Sequence, residues 1–167
     1  MTTKKIILGI DPGTRITGYG VISTETQALD FGCIRPPATL ALAERYKIIF
    51  DGVEALIEKY SPVAVAVETQ FVLRNAQSAI KLGMAKGMVF LSAARKQIPL
   101  YEFAPKQAKL AVVGHGGASK HQVQKMIQAL LRHPNIPEPE DAADALALAI
   151  CCAHHLRSPC TSRSKVR

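Results

Sequence analysis

The sequence predicts an α/β domain: a mixed five-stranded sheet, three antiparallel strands and then helix-linked strands, flanked by helices. Three observations lead there. Strand-like apolar runs crowd the first fifth of the chain, with only short turns between them. Further on, apolar runs alternate with segments whose hydrophobic residues recur every three or four positions. And 167 residues, 48% of them hydrophobic, supply the core of about one ordinary domain.

In order, Lys5 to Asp11, Tyr19 to Ser23 and Ala28 to Ile34 are the first strands. The turns between them are rich in Gly, Thr and Glu, which favours antiparallel pairing. After Pro36-Pro37 the period changes. Leu42, Tyr46, Ile49, Val53, Leu56 and Tyr60 define an amphipathic helix that ends before Pro62. "VAVAVE", Val63 to Glu68, is a short strand to be buried on both faces, and like the first it ends in a carboxylate. A second helix is expected from Asn75, a good N-cap, to Lys96. Ala79, Gly83 and Gly87 recur on it at four-residue steps. Each glycine costs a helix about 1 kcal/mol relative to alanine, so something should pack close to that stripe. The domain's own sheet and the same helix of a second subunit are both open readings. Ile98 to Phe103 is the fifth strand. Pro105 opens a short helix through Val113, stopped by Gly114-His115-Gly116-Gly117. Ser119 and Gln122 have capping-box spacing for a helix through Leu131. A proline-rich loop, Pro134 to Glu140, leads to a last helix starting near Asp141. Residues 1–156 should form one domain, and the basic tail 157–167 has too little to bury to fold.

Charge narrows the function. Lysine and arginine number 21 against 13 acids, for a net charge of +8 and a pI near 9.5. On one small domain that balance suits nucleic acid or another polyanion. A membrane role is disfavoured: the longest uncharged apolar run, Ala145 to Ala153, is too short to span a bilayer, and "MTTKK" opens no signal peptide. A cytoplasmic protein with reduced Cys33, Cys151, Cys152 and Cys160 is the expectation. Cys151-Cys152 and His154-His155 point in different directions from a helix, so they make a poor zinc set.

Against this basic background the acids stand out. Asp11 and Glu68 end two apolar strands, where an ionised group is costly to bury without a partner. Asp141 and Asp144 are three apart on one helix face, among alanines and leucines. Each has an ordinary explanation, as a turn residue or as a negative charge at a helix N-terminus. The ordinary explanation suits Asp141 better than Asp144. Together, four oxygen-donor groups suit magnesium, and two such ions support phosphodiester hydrolysis.

"GIDPGTRITGYGVI", "AVETQF", "VVGHGGASKHQVQKMI" and "DAADALALAI", in this order over about Lys5 to His155, resemble the RuvC family of bacterial Holliday-junction resolvases. The resemblance implies a ribonuclease-H-like nuclease domain, a homodimer, and Mg²⁺ as cofactor, with Mn²⁺ able to substitute and two ions expected per subunit. It implies that four-way junction DNA is cut by paired symmetric incisions in recombination and repair, in partnership with the RuvA–RuvB branch-migration complex. Position by position, Asp11, Glu68, Asp141 and Asp144 match the family's catalytic, metal-binding carboxylates. Phe71 matches an aromatic that stacks on bases at the junction, and Lys109 and Lys120 match basic residues of the active site. The family's dimer contact tips the reading of Gly83 and Gly87 towards a subunit interface. Arg74, Lys81, Lys86, Arg157, Arg163, Lys165 and Arg167 are candidates for non-specific DNA contacts, though solvated charge explains any one of them.

Other classes stay in view. A module that binds branched DNA without cutting it accounts for the basic charge but leaves four carboxylates that repel DNA. "GIDPGT" also resembles the first phosphate loop of actin-like ATPases, which need two lobes and a longer chain. A related short resolvase acting on RNA would lack a reason for the Phe71 loop and the Asp141/Asp144 pair.

Overall fold

The computed structural model describes residues 5–69 and 75–158. Phe71, Arg74, Arg163, Lys165 and Arg167, singled out above, lie outside them.

Strands β1 (Ile6–Asp11), β2 (Thr17–Ser23) and β3 (Ala28–Ile34) form an antiparallel meander. Helix α1 (Leu42–Tyr60) carries the chain to β4 (Ala64–Glu68), which pairs parallel to β1. Helix α2 (Ala76–Arg95) leads to β5 (Leu100–Phe103), parallel to β4. The sheet order is therefore β3-β2-β1-β4-β5. Helices α3 (Pro105–Val113), α4 (Lys120–Leu130) and α5 (Glu140–Arg157) follow. The expected caps form. Asn75 accepts from the Ser78 amide at 3.1 Å, Ser119 and Gln122 cap each other, and Gly114 ends α3 with a φ of 81°. Strand β2 begins two residues before the expected Tyr19. Thr17 and Gly18 continue the ladder opposite Ile34 and Cys33, a pairing that turn composition could not reveal.

Strand alternation divides the core in two. Leu8, Ile10, Val21, Val65 and Val67 face α1 and α2, where Tyr46, Ile49, Val53, Ala85 and Val89 meet them. Ile7, Ile22, Ala64, Ala66, Tyr101 and Phe103 face α3, α4 and α5. Strand β4 is buried on both sides, as a central parallel strand should be. Cys151 and Cys152 belong to this second core, and burial pushes their thiols up to about 11 and 12. They are packing groups.

Helix α5 lies unusually close to the sheet, and composition explains how. A Cβ added to Gly9 would sit 2.0 Å from the Ala145 carbonyl oxygen, and one added to Gly18 would sit 2.0 Å from that of Asp141. Glycines on the sheet and alanines on the helix (Ala142, Ala145, Ala149) thus let the two backbones approach directly. Among the described residues, no helix is long and apolar enough to cross a membrane.

Candidate active site

Asp11 and Glu68 are the last residues of β1 and β4, which run side by side in the same direction. Both share the parity of Ile7 and of Ala64 and Ala66, so both side chains leave the sheet towards α5. The chain beyond Asp11 is pinned: the Thr17 hydroxyl donates to the Gly13 carbonyl at 2.8 Å and accepts from the Gly13 amide at 3.2 Å. The Arg45 guanidinium, from α1, donates to the Thr14 carbonyl. Gly18 pairs with Asp11 across the β1–β2 ladder. Because Gly18 has no side chain, the first turn of α5 seats on it and brings Asp141 in beside Asp11. Asp144, one turn on, follows.

All four carboxylates are half-buried, and their charges act on one another. Burial first, then the like charges of Glu68, Asp144 and Asp141, push the Asp11 carboxyl up to about 8, with Lys120 pulling the other way. Glu68 is also raised, by burial and then by Asp144, against Lys86. Burial raises Asp144 too, opposed by Lys120 and Lys109 and reinforced by Glu140 and Asp141. The four acids predicted from sequence therefore share one field.

Beside them opens a cleft of about 210 Å³, lined by Glu68, Asp144, Lys109 and Lys120 over an apolar floor that includes Ala108 and Val123. Lys109 and Lys120 come from different helices, α3 and α4, and both line this cleft. Lys120 pairs with Glu140, which raises its pKa together with the charges of Asp144 and Asp141. Two ammonium groups over two carboxylates give the cleft a mixed charge that suits a phosphate brought up to a cation site. The donor set is all oxygen, which fits Mg²⁺ or Mn²⁺ rather than a soft metal. Among the described residues, no three His, Cys, Asp or Glu side chains close into a ready ligand cage. The carboxylates share a field without gripping a common point.

Gly83 and Gly87 stand apart from this site. An added Cβ at either would meet nothing within 4 Å, so the domain's own sheet is not what packs there. Ile80, Met84 and Leu91, on the same side of α2, are 62%, 49% and 50% exposed. Lys81 is exposed, whereas the Lys86 side chain is only 14% exposed and pairs with Glu102, a setting unsuited to a DNA contact. Arg157 donates to the Thr24 carbonyl at the opposite end of the sheet. Cys33 and Lys86, a plain thiol and a candidate DNA contact from sequence, prove to be neighbours of the site. Cys33, opposite Gly18 in β3, has its thiol raised by burial and then by the charges of Asp141 and Asp11, and the Lys86 charge opposes the rise of Glu68. Both reach the site through pairing or packing, which no local spacing announces.

The sequence pattern of the family described as crossover junction endodeoxyribonuclease RuvC matches residues 7–152. A protein of that name from Protochlamydia amoebophila is 55% identical over 99% of this chain and 98% of its own length. One from Heliobacterium modesticaldum is 49% identical over 90% of this chain and 95% of its own. Among solved structures, T. thermophilus RuvC in complex with Holliday junction substrate superposes with a TM-score of 0.87 at 34% identity, covering 92% of this chain and 95% of that one. The yeast mitochondrial Holliday junction resolvase Ydc2, at 15% identity and a TM-score of 0.61 over 90% of this chain and 79% of its own, shares the fold.

Proposed function

This chain belongs to the RuvC family of crossover junction endodeoxyribonucleases, Holliday-junction resolvases of ribonuclease-H-like fold, and from that premise we propose how its own residues carry the reaction. Asp11, Glu68, Asp141 and Asp144 are the catalytic carboxylates. The observation that carries this reading is the seating of α5 on Gly18, which joins two strand ends and one helix turn in a single acidic site. Nucleases of this family depend on divalent metal. Here the four carboxylates would hold Mg²⁺, or Mn²⁺ in its place, as two ions per subunit. Once bound, such ions supply an activated water and stabilise the leaving oxygen of a phosphodiester.

The remaining work falls to the chain itself. Lys109 and Lys120 flank the cleft and neutralise the scissile phosphate as it approaches. Lys120 sits in the first turn of α4, whose free amides add to the attraction for phosphate. Phe71 stacks on a base at the junction centre. The net charge of +8 holds the surrounding DNA arms without regard to sequence. A four-way junction has approximate two-fold symmetry, so a homodimer related by the same operator would place two such sites for paired symmetric cuts. The exposed apolar stripe of α2, with Gly83 and Gly87 at its centre, is the surface on which that dimer forms. Family membership also supports partnership with the RuvA–RuvB branch-migration complex and action in the cytoplasm.

The test uses an end-labelled synthetic four-way junction, incubated with Mg²⁺ or EDTA and run on a denaturing gel, with linear duplex as control. Paired incisions confined to the junction and dependent on metal are expected. Asp144→Asn should abolish them while junction binding on a native gel stays within about twofold. Tight binding with no cut under any metal would hand the function to a non-cleaving module.

A further inference from the structure

Helix α2 carries one lysine that belongs to neither DNA-facing charge nor solvent. The Lys86 side chain is 14% exposed, its ammonium pairs with the Glu102 carboxylate on β5, and it lies 5.4 Å from the centroid of the Phe90 ring. A lysine keeps its charge in such a place only where partners hold it. The strand register ties this pair to Glu68. Glu68 pairs with Phe103 and Glu102 with Val67, so the two acids stand at adjoining strand ends. By alternation Glu68 turns to the α5 face and Glu102 to the α2 face. Lys86 grips the rim of β4 and β5 from below, while α5 closes the acidic site from above.

We propose that Lys86 is a positioning residue for Glu68: through Glu102 it fixes α2 to the end of the β4–β5 pair, so that Glu68 is aimed at Asp11, Asp141 and Asp144. This rests on the reading of those four carboxylates as the nuclease site. It also makes α2 serve two ends, with an apolar stripe facing outwards and the Lys86 ammonium held on Glu102 at the end of β5. A rigid link of that kind transmits the seating of the helix to the carboxylate.

The experiment compares Lys86→Met, Lys86→Arg and the double variant Lys86→Met with Glu102→Gln, all in the full chain. The double variant matters because Lys86→Met alone leaves Glu102 half-buried and unpaired, which can destabilise the fold by itself. Three quantities are read: single-turnover cleavage at saturating junction, junction affinity in EDTA, and Mn²⁺ binding by calorimetry. Lys86→Met is expected to slow cleavage at least tenfold, keep junction affinity within twofold and weaken Mn²⁺ binding at least threefold. Lys86→Arg, which keeps the ion pair, should recover most of each loss. The double variant should recover thermal stability but not cleavage. Recovery of cleavage along with stability would overturn the proposal, since Lys86 would then only support the fold. A fall in junction affinity as large as the fall in cleavage would make it a DNA contact. Mn²⁺ binding that tightens in Lys86→Met, with cleavage kept, would reduce Lys86 to a repelling charge. Should the wild type fail to cut, or Asp144→Asn cut like the wild type, it is the reading of the site itself that falls.

Discussion

At the scale of single residues, the acidic site is a place where the fold accepts a cost for chemistry. Asp11 is raised to about 8 from an ordinary 3.8, first by burial and then by its acidic neighbours. Between those two values the folded chain keeps a proton that the unfolded chain has released. Stability of the metal-free protein therefore falls as pH rises from about 4 to about 8, and the loss is complete above the upper value. One pK unit is worth about 1.4 kcal/mol, so part of this displacement alone amounts to a few kcal/mol. Asp11→Asn removes the acid, relieves Glu68 and Asp144, and should leave the metal-free protein more stable than wild type at pH 8 and above. A gain of about 2 kcal/mol, roughly 4–8 °C in a chain of this size, is expected there, shrinking towards pH 4. Thermal melts in EDTA across that range check it. A difference that is flat with pH, or that grows towards acid, would show that Asp11 does not titrate as its burial demands. The same variant should not cut a junction at any pH.

At the scale of elements, the decisive contact is α5 against β1 and β2. Any side chain at Gly18 drives a carbon to within 2.0 Å of the Asp141 oxygen and 2.4 Å of its carbonyl carbon, all backbone that cannot swing aside. Gly18→Ala should therefore move the first turn of α5 outwards. Overpacking of this kind costs about 1–3 kcal/mol. The functional loss should be larger than the stability loss, because misplacing a catalytic group by about 1 Å can cost around a hundredfold. Cleavage down at least that far, with helical content retained by circular dichroism, is the expected result; near-wild-type cleavage would mean that α5 is not held by this glycine. That contact also marks the limit of what the sequence tells. The strands and helices were legible because each carries its own period and punctuation, from Asn75 and Ser119 as caps to Gly114 as a stop. Asp11 and Glu68 drew notice because acids at the ends of apolar strands are anomalous in place, and Asp141 and Asp144 because they share a helix face among alanines and leucines. That Gly18 faces Asp141 was not, since the two are far apart in the chain and meet only after β2 pairs with β1. Lys86 was misjudged for the same reason: its anchor, Glu102, lies sixteen residues on, beyond the end of the helix, and a lysine on an amphipathic helix looks like surface charge.

At the scale of the whole molecule, what is left over after folding is a helix face without a partner. Ile80, Met84 and Leu91 expose apolar surface on α2, and Gly83 and Gly87 lie between them with open space where a side chain would be. In an isolated chain those glycines are a pure cost, about 1 kcal/mol each against alanine, and nothing nearby would object to the extra methyl groups. In a dimer built on this face they are what lets two helices approach, and the methyl groups would push the subunits apart. The two situations give opposite signs for one substitution. The double variant Gly83→Ala with Gly87→Ala should raise the melting temperature at protein concentrations low enough for wild type and variant both to be monomeric. At tens of micromolar it should sediment as a monomer where wild type sediments as a dimer. Its acidic site is untouched, so single nicks in the junction should persist while paired symmetric incisions disappear. Sedimentation velocity and a gel that separates nicked from resolved junctions decide the matter together. A variant that stays dimeric and still cuts in pairs would place the subunit contact on another face, and the two glycines would then be unexplained.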